Sequence, residues 1–165
     1  MSILPRIVRD ATLPRIPPRT SRRLERIIAM SPRPVETSRE DPAVRCPKHD
    51  RPMRRFLVAG IEVDRCSICG GIWLDAGELE SLVNSDRDAR DAARMLDRAD
   101  ASVEHDDHEP ICPRDGTPLV AKRDTNKPHV ECDACETCSG VFLDAGELSR
   151  MTETGFADWV RRLFA

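Results

Sequence analysis

The chain has 165 residues and a formal net charge of −3, with 33% charged, 39% hydrophobic and 4% aromatic residues and no Tyr. That length permits one ordinary domain or two very small ones, and the apolar content is thin for one large core. No secretory signal is visible, and no run of ~18 apolar residues is available to span a bilayer. Units near ~40 residues need a metal, disulfides or association to be stable, and seven Cys in two clusters fit that need. The expected location is cytoplasmic, where thiols stay reduced, so the CxxC pairs read as metal ligands rather than disulfides. The odd number of Cys also leaves one thiol outside any full pairing.

Residues 1–44 form a Pro- and Arg-rich leader. Within residues 1–40, Arg6, Arg9, Arg15, Arg19, Arg22, Arg23, Arg26, Arg33 and Arg39 are opposed only by Asp10, Glu25, Glu36 and Glu40. Seven prolines interrupt periodic structure, so the leader is expected to be largely disordered. Residues 21–30 place Leu24, Ile27 and Ile28 on one face of a short helix. Such a basic arm suits nucleic acid, an anionic membrane surface or an acidic partner, or is a solvated tail.

Residues 45–84 form the first repeat unit. Strands are expected over 53–58 and 61–65, joined by a tight turn at Ala59-Gly60. Asp75 with Glu78 predicts the start of a helix, with Asp75 as N-cap. Residues 85–110 begin with a break at Asn84-Ser85, where Ser85 and Asp88 offer a fresh cap. A charged helix then carries the apolar stripe Ala89, Ala92, Ala93 and Leu96. The acidic stretch with His105 and His108 reads as a linker rather than a site. Residues 111–153 are the second unit, with a hairpin over 119–123 and 129–132, and with Asp144 and Glu147 repeating the cap. Residues 154–165 place Phe156, Trp159, Val160, Leu163 and Phe164 at helical spacing, an amphipathic helix that packs on the body or on a second copy.

The two units are one pattern written twice. Cys46-Pro47-Lys48-His49 precedes Cys66-Ser67-Ile68-Cys69-Gly70-Gly71, and Cys112-Pro113-Arg114-Asp115 precedes Cys135-Glu136-Thr137-Cys138-Ser139-Gly140; each copy ends in Leu-Asp-Ala-Gly-Glu-Leu. Two tight turns on either side of a hairpin supply the four tetrahedral donors that Zn²⁺ takes. The first set is Cys46, His49, Cys66 and Cys69. The second, by alignment, is Cys112, Asp115, Cys135 and Cys138. Cys132 competes with Asp115, because Cys132-x-x-Cys135-x-x-Cys138 contains two overlapping pairs and a thiolate is the softer zinc ligand. Register opposes it, since Cys132 aligns with Val63 on a hairpin strand and there reads as a small buried residue. Two Zn²⁺ per chain follow, and the fold class is small α+β, metal-stabilised, with two tandem ribbons each followed by a helix.

The string from Cys46-Pro47 through Cys66, Cys69, Gly70, Gly71, Trp73, Leu74, Asp75, Gly77, Glu78 and Leu79 resembles the zinc ribbon of the TFIIB-type, transcription-factor zinc-finger family. The second copy resembles it too, with Ser139 for Gly70 and Phe142 for Trp73. The family typically carries Cys where this chain has His49 and Asp115, a departure that bears mainly on the fourth ligand of the second site. The resemblance implies a ribbon fold, and transcription only by analogy.

Three function classes follow. A non-catalytic module with structural zinc would bind nucleic acid through the Arg-rich leader, or a protein as an adaptor. An enzyme would need the second site opened by release of Asp115, with Glu147 or Asp144 as base; no HExxH or nucleophile elbow accompanies it. Electron transfer through iron normally demands four thiolates, and neither aligned set is all Cys.

Overall fold

The computed structural model describes residues 18–36, 43–97, 109–124, 130–152 and 157–163. In chain order the elements are α1 (Pro18–Met30), β1 (Arg33–Pro34), β2 (Arg54–Val58), β3 (Ile61–Arg65), β4 (Ile72–Leu74), α2 (Glu78–Asn84), α3 (Arg87–Leu96), β5 (Val120–Arg123), β6 (Glu131–Ala134), β7 (Val141–Leu143), α4 (Glu147–Met151) and α5 (Ala157–Arg162). The two ribbons are fused in one seven-stranded sheet of order β1-β2-β3-β4-β7-β6-β5.

Every pairing in that sheet is antiparallel. The first hairpin turns at Ala59 (φ 52) and Gly60 (φ 85). Two consecutive positive φ values give the two-residue turn whose twist matches the flanking strands. The repeats meet at β4 and β7, where Ile72 faces Leu143, Trp73 faces Phe142 and Leu74 faces Val141. Trp73 and Phe142 are the same position of the repeat, so a pseudo-two-fold axis runs between these strands. The contact is that of a symmetric dimer made within one chain.

The closest contact at this seam is reciprocal. A Cβ built on Gly71 would lie 2.3 Å from the Phe142 ring, and one on Gly140 would lie 2.2 Å from the Trp73 ring. Each glycine lets the aromatic ring of the other repeat lie against its backbone. Trp73 and Phe142 are both fully buried, with Cys46, Cys66, Cys112 and Cys135 in the same cluster. A larger core on the helical side joins Val58, Val63, Ile72, Leu74, Val130, Val141 and Leu143 of the sheet to Leu82, Leu96, Leu148, Met151, Trp159 and Val160. Each such large apolar side chain contributes about 1.5–3 kcal/mol on burial.

All four residues of the α3 stripe, Ala89, Ala92, Ala93 and Leu96, are buried. The helix expected over 21–30 spans Pro18–Met30 and lies against α3. Arg23 bonds Asp88 at 3.0 Å and Asp91 at 2.7 Å, and Arg26 bonds Asp86 at 2.8 Å. Its last carbonyl, of Met30, accepts from Ala59 N at 3.2 Å. With β1 on the edge of β2, residues 18–36 of the leader belong to the fold; the rest of it up to residue 17, and residues 37–42, lie outside the described residues. Trp159, Val160 and Leu163 of the expected C-terminal stripe are buried, and α5 packs on α2; Phe156 and Phe164 lie outside the described residues, as do His105 and His108.

Three helix caps differ from expectation. α2 starts at Glu78 with Gly77 (φ 82) as N-cap and no capping side chain, because Asp75 points elsewhere. Half of the expected box survives, since the Glu78 carboxylate accepts from Asp75 N at 2.7 Å. At the matching position, α4 starts at Glu147 with Gly146 as N-cap and again no capping side chain. Ser85 is the C-cap of α2, not the N-cap of α3; Asp86 takes that role and accepts from Ala89 N at 2.9 Å.

Candidate metal centres

Four copies of one turn build the two sites. The N–H groups of Cys46, Cys66, Cys112 and Cys135 donate to the carbonyls five residues on, at 2.8, 2.8, 2.8 and 2.9 Å. The carbonyls of the same Cys accept from the N–H groups of Asp50, Gly70, Gly116 and Ser139, four residues on. Those four residues have φ of 47, 71, 77 and 60. Glycine takes this left-handed backbone freely. Asp50 is clamped by Arg45, whose Nη2 lies 2.9 Å from Oδ2. Ser139 is where the second copy departs from the Gly-Gly of the first.

In the first site, Cys46 Sγ lies 3.5 Å from His49 Nδ1 and 3.8 Å from Cys69 Sγ. One ligand atom from each of Cys46, His49, Cys66 and Cys69 lies within 4.8 Å of every other. Zn–S bonds of ~2.3 Å at the tetrahedral angle require sulfur atoms about 3.8 Å apart, which is the separation of Cys46 and Cys69, so the donor set fits the ion. Ile68 N donates to Cys66 Sγ and Gly71 N to Cys69 Sγ, both at 3.4 Å. Hydrogen bonds from the Cys46 and Cys69 thiols, aided by backbone N–H groups, hold the Cys66 thiol well below its ordinary value. The Cys46 thiol, as donor, is held above it.

In the second site, Cys112, Asp115, Cys135 and Cys138 meet the same 4.8 Å limit. Cys112 Sγ lies 3.6 Å from Cys138 Sγ, and Asp115 Oδ2 lies 3.1 Å from Cys135 Sγ. The other carboxylate oxygen, Oδ1, accepts from Thr117 Oγ1 at 2.6 Å and Thr117 N at 2.9 Å. Thr117 thereby turns one oxygen of Asp115 toward the three thiols and lowers the carboxyl below the usual range. Arg114 N, Cys138 N and Gly140 N donate to the thiols of Cys112, Cys135 and Cys138 at 3.3–3.4 Å. Burial pushes the Cys112 thiol up to about 12.

Cys132 is in neither group. It sits on β6 in the larger core, 3% exposed, where burial pushes its thiol up to about 12.

The repeated Leu-Asp-Ala-Gly-Glu-Leu string joins the two sites. Asp75 accepts from Trp73 Nε1 at 2.9 Å and from Arg114 Nε at 2.9 Å, and Asp144 accepts from Lys48 Nζ at 2.6 Å. Lys48 and Arg114 are the same position of the repeat, inside the first ligand turn. Each repeat's ligand turn is therefore tied to the other repeat's helix start. Burial works against ionisation of Asp75, but the bonds from Arg114 and Trp73 outweigh it and the carboxyl falls below its ordinary value. Sequence reasoning missed this role of Lys48 and Arg114, and that of Thr117. The visible signal was a cation in the same ligand turn of both copies, opposite in sign to the repeated Asp.

Glu147 accepts from Glu131 N at 3.4 Å and pairs with Arg150. Both carboxylates considered as bases are thus held in structural contacts. Among the described residues no helix is long and apolar enough to cross a membrane.

Comparison with curated proteins and with solved structures found no match. The family described as "Transcription factor zinc-finger" matches residues 45–85 and 111–154, together more than half of the chain. With two four-donor groups of zinc dimensions, this match supports two zinc ions per chain. The chain belongs to the TFIIB-type zinc-ribbon, transcription factor zinc-finger family, in two tandem copies.

Proposed function

We propose that this is a non-catalytic regulatory module in which two structural zinc ions hold a fused double ribbon that recognises a protein partner. Cys46, His49, Cys66 and Cys69 hold the first ion and Cys112, Asp115, Cys135 and Cys138 the second. The supporting observation is that each site gathers four protein donors, and a tetrahedral zinc with four protein ligands has no place for substrate. Thr117 anchors Asp115, which works against the swing an open second site would need. The zinc cross-links the ligand turns, and the Cys thiolates and the Asp115 carboxylate balance its charge, with His49 as a neutral donor. A reducing compartment such as the cytoplasm suits free thiols at all seven Cys.

A protein partner is favoured over nucleic acid because Arg23 and Arg26, two of the cations of α1, are engaged by Asp86, Asp88 and Asp91 and so are not offered to phosphates. The neighbouring Leu24, Ile28 and Met95 are exposed apolar side chains at 45%, 69% and 46%. Nucleic-acid binding through Arg6, Arg9 and Arg15 is the second reading, carried by the basic composition of the leader. Fluorescence anisotropy with a generic duplex decides between them. The protein reading expects no binding that depends on the leader. Affinity that falls steeply with salt, and is lost on deleting residues 1–17, establishes the nucleic-acid reading instead.

A further inference from the structure

Both ligand turns of each site lean on the other repeat. At the second site, Arg114 lies between Cys112 and Asp115 in the first ligand turn. It donates to the two carboxylate oxygens of Asp75, through Nε at 2.9 Å and through Nη2. Gly140 closes the second ligand turn. Its carbonyl accepts from Cys135 N at 2.9 Å, and its N–H donates to Cys138 Sγ at 3.4 Å. The Trp73 ring lies directly against that glycine. Trp73 Nε1 in turn donates to Asp75 Oδ1 at 2.9 Å. One indole and one carboxylate of the first repeat therefore brace both ligand turns of the second site.

The first site is braced the same way from the second repeat. Lys48, between Cys46 and His49, donates to Asp144 Oδ1 at 2.6 Å. Gly71 accepts from Cys66 N at 2.8 Å, donates to Cys69 Sγ at 3.4 Å, and has the Phe142 ring against it. Lys48 Nζ stands 5.5 Å from the centroid of that ring. This brace is the plainer of the two. A phenyl ring has no N–H to fix Asp144, and an ammonium makes a point contact where a guanidinium makes a fork. The site with the harder fourth donor, Asp115 in place of His49, thus has the stronger brace.

Trp73 and Asp75 follow closely on Cys69, and their strand β4 leaves directly from the turn that Cys66 and Gly71 close. In a unit this small, binding the ion and folding the turns are one event. Trp73 and Asp75 are therefore placed when the first site closes. We infer that the two zinc sites are coupled through these crossed contacts: closing the first site positions Trp73 and Asp75, which then hold the ligand turns of the second. The second ion binds more tightly to a chain that already carries the first. This rests on the zinc assignment proposed above. The coupling is reciprocal in free energy, and the order follows from the donors, since the imidazole of His49 suits a structural zinc better than the carboxylate of Asp115. The double ribbon then assembles over a narrow range of zinc concentration rather than one unit at a time.

Zinc competition against a chelator, on the full chain with bound ions counted by native mass spectrometry, tests this. In the parent the second ion reports the second site with the first filled. Cys66→Ser/Cys69→Ser removes the first site, and the single ion left at the second should bind at least about tenfold more weakly. Asp75→Ala keeps all eight donors. It should weaken the second ion by about threefold, the worth of a part-exposed ion pair, and leave the first unchanged. Parental second-site affinity in both variants overturns the inference. Asp75→Ala weakening both ions equally also overturns it, because that marks a general loss of stability. So does a parental second ion in Asp75→Ala beside a weak one in Cys66→Ser/Cys69→Ser, which removes the crossed contacts from the coupling. A parent that binds fewer than two ions fails the two-site reading and the inference with it, whereas two ions bound independently fail the inference alone.

Discussion

Gly140 lies so close to Trp73 that an added methyl group would sit 2.2 Å from the indole, and Gly71 stands in the same relation to Phe142. The rings cannot retreat, because both are fully buried between the two ribbons. Gly140→Ala and Gly71→Ala should each lower stability by about 3 kcal/mol or more, the upper end of the cost of overpacking, because neither ring has room to move. Gly77→Ala meets open space and should cost only the left-handed backbone penalty, about 1–2 kcal/mol. Denaturant unfolding of the zinc-loaded variants measures the difference, and equal losses at all three sites would show that the seam is not tightly packed.

Arg114 and Asp75 couple the repeats, as do Lys48 and Asp144. Arg114 and Asp75 are each about one-third exposed, at 33% and 37%, so a double-mutant cycle with Arg114→Ala and Asp75→Ala should give a coupling of about 0.5–1 kcal/mol. The coupling should shrink as salt is raised.

Burial among Asp75, Asp64 and Glu62 pushes Glu78 up to about 7, against the bond from Asp75 N that favours the charged form. The folded state therefore binds this proton more tightly than the unfolded chain. Stability from this group is full below about 4.5 and is lost as pH rises through about 7. Glu78→Gln can keep the bond to Asp75 N and removes the titration. Its stability relative to the parent should rise from pH 6 to pH 8, followed by urea unfolding across that window. A difference that does not change with pH would contradict the shift.

The hairpins, the ligand turns and the stripe of α3 were legible in the sequence because each is set by neighbours a few residues apart. Ala59-Gly60 announces its turn, and Ala89, Ala92, Ala93 and Leu96 announce their face. The fusion of the ribbons through β4 and β7 was not legible, because it depends on contacts between residues about 70 positions apart. The same long-range contacts explain the wrong cap. Asp75 has the residue type and spacing of an N-cap, but Arg114 of the other repeat and the Trp73 indole occupy its carboxylate. Ser85 and Asp86 are adjacent capping residues, and local pattern did not separate them.

Cys132 tests the register of the second repeat. In the core it behaves as a small apolar residue, so Cys132→Ser should lower stability by about 1–3 kcal/mol through a poorly paired buried hydroxyl. Thr117→Val should weaken zinc at the second site alone, because it frees the Asp115 carboxylate to rotate; a competition titration with a chelator would report it. Asp115→Cys should tighten the same site, since thiolate is the softer ligand.

The most direct measurement is the zinc content of the intact chain and two variants by native mass spectrometry. The parent should carry two Zn²⁺, Cys132→Ser should also carry two, and Asp115→Ala should lose or weaken only the second. One zinc in the parent, or loss of zinc from Cys132→Ser with Asp115→Ala unaffected, would contradict the account.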